Sequence, residues 1–218
     1  NKFKFSDQAF MMAAYFKYSS YHKGEHEHEY EKFSLDILDM LIQYKEEIYN
    51  VSFEELNKIC LALNVFYKYS GIQKCQNLLI DFLDLLIEQY NAKPSLIINA
   101  KLDYSCMLFM NCTLMYNNTS MHKFKDTSDD LFKKLTKLYD NERGILLKES
   151  ADKEIIYTSD ELMLYVYSLI LYSDSNNATD NSNILQDIFK NQILDSGIVL
   201  SWPDSPSLDN IEHYRNFS

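Results

Sequence analysis

Carboxylate side chains near the starts of predicted helices are the groups in this chain best suited to acid–base chemistry. Hydrolysis of a glycosidic bond uses two carboxyl groups, one protonated as the acid and one ionised as the base or nucleophile. Helix-start and turn preferences explain Asp160, Asp204 and Asp209 less readily than they explain the other carboxylates. If the protein is an enzyme, we expect its catalytic carboxylates among these three.

Aromatic and charged side chains close to these carboxylates could hold a ligand. Trp202 is the single tryptophan of the chain and follows Ser201 in a predicted loop, and an indole face stacks well on a sugar ring. The further candidates for substrate binding are Tyr214, Arg215, Glu161 and Glu212. A packing role for Trp202 at the edge of the core is the competing interpretation.

Helix capping offers a structural explanation for some of the acidic residues. Ser52-x-x-Glu55 and Thr158-x-x-Glu161 both fit the capping box, in which two side chains satisfy free amides of a first helical turn. Acidic residues at a helix start also complement the helix dipole. The other carboxylates predicted at such starts include Asp7, Glu54 and Asp103.

Two kinds of helix alternate along the chain. The first kind is apolar on nearly all sides and covers residues 6–22, 53–69, 98–116 and 160–172. The second kind carries one apolar stripe and covers residues 27–49, 72–90, 122–139 and 183–194. A helix that is apolar all round must be surrounded, whereas a striped helix lies at the surface. The alternation predicts an all-α fold, a two-layered array of helical hairpins. A simple up-and-down bundle would show stripes on every helix.

Short sequence echoes indicate that the hairpins repeat. FKYS at 16–19 returns as YKYS at 67–70, and Tyr44, Tyr90 and Tyr139 close successive outer helices. A glycine followed by a short extended stretch occurs twice, so we expect short β excursions near 145–157 and 198–200. Such recurrence is typical of stacked helical arrays.

This pattern of inner and outer hairpins resembles the (α/α) toroids of the six-hairpin glycosidase type. The resemblance covers most of the chain as a pattern, without a short signature motif. It implies a carbohydrate-active protein, glycoside hydrolase-like or lyase-like, with its substrate at the rim formed by the starts of the inner helices. Only four hairpins and the start of a ninth helix are present. We therefore expect an incomplete or small toroid, with residues 1–218 as a single domain that could be a piece of a longer chain.

Composition excludes several classes of partner and cofactor. The formal net charge of −11 argues against nucleic acid, which demands basic patches. The most apolar run, residues 162–172, is about half the length needed to cross a bilayer, so we expect no membrane insertion. Scattered glycines form no phosphate-binding loop, and the His/Glu tract at 22–29 is typical of a solvated turn, so we expect no cofactor and no metal.

Two functions stay open at this point. The first is the carbohydrate-active protein, and the second is a non-catalytic helical-repeat module that binds a protein or peptide on its concave face. A deep pocket with two carboxyls about 5 to 10 Å apart would favour the first. An exposed apolar inner face would favour the second. The bias towards Asn, Lys, Ile and Tyr suggests a bacterial source, and the sequence leaves the location open between a cytoplasmic protein and a secreted one with its leader removed.

Overall fold

The computed structural model describes residues 3–21, 27–92, 102–147, 158–176 and 182–194. Within these ranges it contains nine α-helices, one π-helical segment and one two-stranded antiparallel sheet. The helices are α1 Phe5–Tyr21, α2 Glu27–Gln43, α3 Lys45–Ile48, α4 Phe53–Ser70, α5 Gln73–Ala92, α6 Leu102–Thr119, α7 His122–Thr136, α8 Ser159–Asn176 and α9 Ser182–Ile188. The strands are β1 Tyr139–Asp140 and β2 Ile145–Leu146, and the π-helical segment is Phe189–Leu194. The prediction of an all-α protein is confirmed.

Four helices that the sequence marks as apolar on nearly all sides pack in a row. Helix α1 contacts α4, α4 contacts α6, and α6 contacts α8. We call these four helices the central row. Helices α2, α5 and α7 each pack against the row helix that precedes them in the chain. Helix α6 is buried along most of its length because α4, α7 and α8 surround it. Closure of the row into a toroid stays a prediction.

Buried asparagines join α4 to α6 inside the row. The Asn111 side-chain amide donates to the backbone oxygen of Asn57 at 3.0 Å and to its side-chain oxygen at 3.1 Å. Asn64 donates in turn to the backbone and side-chain oxygens of Asn111, both at 3.2 Å. Asn118 donates to the Asn64 carbonyl at 3.4 Å. Because buried polar groups are costly when unpaired, this asparagine ladder fixes the register of the two helices.

The predicted helices 27–49 and 122–139 both end earlier in the structure than the sequence pattern indicates. The predicted single helix 27–49 is interrupted at Tyr44, whose backbone (φ −97°, ψ 24°) leaves the helical region between α2 and α3. The predicted helix 122–139 stops at Thr136, because Tyr139 enters β1 and pairs there with Leu146. Tyr44 and Tyr139 therefore follow their helices and do not close them.

The β excursion predicted near Ile145 is present as a hairpin after α7. Its turn uses Gly144 in the left-handed region (φ 65°), which glycine adopts without steric cost. Residues 148–157 and 198–200, which complete the predicted excursions, lie outside the described residues.

Side-chain hydrogen bonds connect the hairpin to α9 and to the π-helical segment. The Tyr139 hydroxyl donates to Asp187 at 2.5 Å, and the Leu146 amide donates to Gln192 at 2.7 Å. The Asn191 amide donates to the Gly144 carbonyl at 3.0 Å. The last described helix is therefore tied to the turn that follows α7.

All four cysteines are buried free thiols, as their apolar surroundings in the sequence predict. Burial raises the pKa of the Cys75 and Cys106 thiols to about 12, so both stay protonated at neutral pH. These positions act as small apolar residues of the core.

Candidate functional site

The first turns of three row helices are joined by adjacent glutamates of α4. The backbone N–H of Ser6 in α1 donates to Glu55 Oε1 at 2.9 Å. The Tyr104 hydroxyl of α6 donates to Glu54 Oε2 at 3.0 Å. One glutamate therefore reaches α1 and its neighbour reaches α6, so the N-terminal ends of α1, α4 and α6 lie together. We call this end of the central row the rim.

The two capping boxes predicted from the sequence form to different extents. At α8 the box is complete, because the Thr158 N–H donates to Glu161 Oε2 at 3.1 Å and the Glu161 N–H donates to Thr158 Oγ1 at 3.2 Å. At α4 the Ser52 hydroxyl accepts from the Glu55 N–H at 3.2 Å, but the Glu55 carboxylate binds α1 instead of Ser52. Glu161 is buried with its carboxylate turned to its own helix start, whereas Asp160 beside it is exposed.

A cavity of about 510 Å³ opens at the rim between α4, α6 and α8. Each of these helices contributes one carboxylate to its wall, namely Glu54, Asp103 and Asp160. The remaining lining residues are Lys58, Met107, Met163, Leu164 and Tyr167. We call this space the rim cavity. It combines an acidic mouth with an apolar wall.

Glu54, one of the three carboxylates of the rim cavity, is held between Lys58 and Tyr104. The Lys58 ammonium forms an ion pair with it, and this contact together with the Tyr104 hydroxyl lowers the pKa of Glu54 below its ordinary value. Burial, reinforced by the neighbouring Glu54 charge, raises the pKa of Tyr104 to about 12. At neutral pH Glu54 is therefore ionised and Tyr104 is protonated. The ionised Glu54 carboxylate can accept hydrogen bonds from a ligand. It is not suited to act as a general acid, because that role needs a carboxyl group whose pKa is raised.

Helix α8 leaves an apolar stripe uncovered beside the rim cavity. Met163, Tyr167 and Ile170 follow one another at helical spacing and are 58%, 47% and 41% exposed. The opposite side of α8 is buried, and its Tyr165 hydroxyl donates to the Leu135 carbonyl of α7 at 3.2 Å. We call the three exposed residues the α8 stripe. The sequence predicts that this helix is surrounded, yet within the described part of the chain one of its sides faces solvent.

The predicted site residues divide into two groups. Asp160 lies at the rim cavity and Glu161 lies in the capping box behind it. The other candidates, Trp202, Asp204, Asp209, Glu212, Tyr214 and Arg215, lie outside the described residues. Sequence reasoning did not single out Lys58 or Tyr104. The available signal was their position within the first two turns of apolar helices, where a polar side chain needs a partner.

The rim carboxylates do not amount to a metal site. Among the residues that the structure describes, no group of three or more His, Cys, Asp or Glu side chains could hold a metal ion.

No described helix has the length and apolar character that crossing a membrane requires. Comparison with family models, with curated proteins and with solved structures finds no match for the chain.

Proposed function

We propose that the chain is a non-catalytic helical-repeat module that binds a protein or peptide along the rim cavity and the α8 stripe. The observation that carries the proposal is the exposure of Met163, Tyr167 and Ile170 at helical spacing, continuous with the apolar wall of the cavity. Contiguous exposed apolar side chains bordered by polar residues are typical of protein interaction sites. Because each of these side chains is already about half buried, covering its exposed part would contribute about 1 kcal/mol before the costs of association.

The charges around this surface favour a basic ligand. Three carboxylates line the rim cavity and its one described cation, Lys58, is paired with Glu54. The chain as a whole carries a formal net charge of −11. A peptide with apolar anchors for the α8 stripe and a Lys or Arg for the cavity mouth matches both features.

The proposed binding surface agrees with the architecture that the sequence pattern predicts. In this proposal the central row is the inner layer of a two-layered array, α2, α5 and α7 form the outer layer, and the row curves towards the α8 stripe as part of an incomplete or small toroid. The bound segment would then lie on the concave side, as in other helical-repeat proteins.

Selection of peptides from a random displayed library tests this function. We expect enriched peptides to combine apolar residues with Lys or Arg, and Tyr167→Glu to weaken their binding by about tenfold or more, as loss of a buried aromatic anchor does. Phe189→Glu is the matched control, because Phe189 is 52% exposed but belongs to the π-helical segment and does not line the rim cavity. The proposal is overturned if no peptide is enriched, or if every enriched peptide binds the Tyr167→Glu and Phe189→Glu variants equally well.

A carbohydrate-active protein is the second candidate, favoured by the convergence of Glu54, Asp103 and Asp160 on one cavity. Asp160 would take part as a catalytic carboxylate, together with a partner such as Asp204 or Asp209. Screening polysaccharide hydrolysis and lyase activity tests it. An activity that Asp160→Asn abolishes supports the enzyme. A demonstrated activity that survives both Asp160→Asn and Asp204→Asn argues against this assignment.

A further inference from the structure

A second cavity, of about 540 Å³, lies between the start of α1 and the junction of α2 with α3. Its lining residues are Phe3, Phe5, Met40, Tyr44 and Glu47. It is separate from the rim cavity, and the inference drawn from it does not depend on the proposed function.

Aromatic rings form the walls of this second cavity. The Phe3 and Phe5 rings are nearly perpendicular, at 87° with centroids 5.2 Å apart, so they form a corner. Tyr44 faces Phe5 with centroids 6.2 Å apart and an angle of 42°. Phe3 is 65% exposed and Tyr44 is 41% exposed, so much of both rings is available to a ligand.

The short helix α3, which follows the break at Tyr44, carries the one charged side chain in the described lining of this cavity, Glu47. Tyr44 interrupts the helix, and Ile48 anchors the short α3 in the core. Lys45 is turned away, because its ammonium pairs with Asp81 of α5 at 2.6 Å. Glu47 has no ion-pair partner among the residues that the structure describes, so its carboxylate adds an uncompensated negative charge to an otherwise apolar space.

We propose that these residues form an aromatic cage that binds a quaternary or fully methylated ammonium group. The negative faces of aromatic rings attract such a cation, and Glu47 contributes an opposite charge. A primary ammonium carries three N–H donors and is strongly hydrated, whereas Glu47 is the one charged acceptor in the lining. A quaternary ammonium has no N–H to satisfy and buries its methyl groups against the rings and Met40.

Choline serves as the probe, with 3,3-dimethyl-1-butanol as its neutral isostere of the same shape. We expect the choline methyl protons to shift upfield in proton NMR on titration with the protein, because they enter the ring currents of the cage. The neutral isostere should bind about threefold to thirtyfold more weakly, the range expected when a cation–π contact is lost.

Variants of the cage separate the charge from the rings. Tyr44→Leu should weaken choline binding by about tenfold, and Glu47→Gln by about threefold to tenfold. Glu46→Gln is the matched control, because Glu46 lies beside Glu47 on α3 but does not line the cavity. Circular dichroism establishes whether each variant retains its helices. If Tyr44→Leu loses helical structure, Phe3→Leu removes a different ring of the cage and takes its place.

Three results would overturn the inference. Equal binding of choline and its isostere would make the cavity a general apolar site. Equal losses for Glu47→Gln and Glu46→Gln would show a diffuse effect of the acidic surface. Absence of an upfield shift at millimolar choline with the wild-type protein would show that the cavity binds no such cation.

Discussion

The Tyr104 hydroxyl lies 3.0 Å from Glu54 Oε2 and joins the first turn of α6 to the first turn of α4 at the wall of the rim cavity. Glu54 also receives the Lys58 ammonium, while its neighbour Glu55 accepts the Ser6 amide of α1. The rim is therefore held by side-chain contacts as well as by apolar packing. Its geometry can be tested by removing these contacts one at a time.

Removing the Tyr104 hydroxyl should loosen the contact between α4 and α6. We expect Tyr104→Phe to raise the pKa of Glu54 towards its ordinary value and to lower the free energy of unfolding by about 1 kcal/mol. Carbon-detected NMR titration of the carboxyl and urea unfolding measure the two effects. Tyr67→Phe is the control, because no hydrogen bond involves the Tyr67 hydroxyl within the described chain. An unchanged Glu54 pKa in Tyr104→Phe would contradict the assignment.

Glu54 should also make stability depend on pH. Its pKa is lower in the folded protein, chiefly because of Lys58, so its contribution is present above the unfolded pKa of about 4.3 and is lost as the pH falls through the folded value. Lys58→Gln should reduce the free energy of unfolding by about 0.5 kcal/mol at pH 7, a small effect because the pair is partly exposed.

The effect of Lys58→Gln on the free energy of unfolding is measured at two pH values and compared. Urea unfolding of the wild type and of the variant should differ at pH 7, and the difference should shrink below pH 4. A difference that stays constant across this range would show that Lys58 acts through packing of its aliphatic chain and not through the Glu54 charge.

The asparagine ladder should be a major source of stability in the central row. Asn111→Ala removes the amide that donates to Asn57 and the side-chain oxygen that accepts from Asn64, although the Asn111 backbone carbonyl still accepts from Asn64. Because the Asn57 side-chain oxygen is then left unpaired in the core, we expect a loss of roughly 3 kcal/mol in the free energy of unfolding. Asn117→Ala, on an exposed site of the same helix, should cost about 0.5 kcal/mol or less. Equal effects of the two substitutions in urea unfolding would show that the ladder does not stabilise the row.

The two described glycines with positive φ form a matched pair. Gly144→Ala would place a methyl group 2.5 Å from Asn191 Nδ2, whereas a methyl group at Gly71 meets nothing within 4 Å. Both substitutions pay the left-handed backbone penalty of about 1–2 kcal/mol. We expect Gly144→Ala to cost roughly 1 kcal/mol more than Gly71→Ala, because it also strains the docking of the hairpin on the π-helical segment. Thermal unfolding of both variants measures the difference, and equal costs would contradict the close packing at Gly144.

Local patterns along the chain determined the helical class and the order of helix types. Apolar residues on all sides of 98–116 predicted a central helix, and α6 is buried between α4, α7 and α8. The Thr158–Glu161 capping box was equally readable, because capping involves residues three apart. Such features depend on near neighbours in the sequence, where spacing alone decides which side chains meet.

The tertiary structure decided which helix faces meet and which are left open. Tyr104 and Glu54 are far apart in the chain, and their contact depends on the rotation and offset of two helices that apolar periodicity leaves undetermined. The break at Tyr44 and the entry of Tyr139 into β1 likewise depart from helix periodicity, and the Tyr139 hydroxyl bonds Asp187, which is far away in the chain. The rim cavity, the α8 stripe and the aromatic cage arise from these relationships, because each combines side chains from different helices or the solvent-facing side of one.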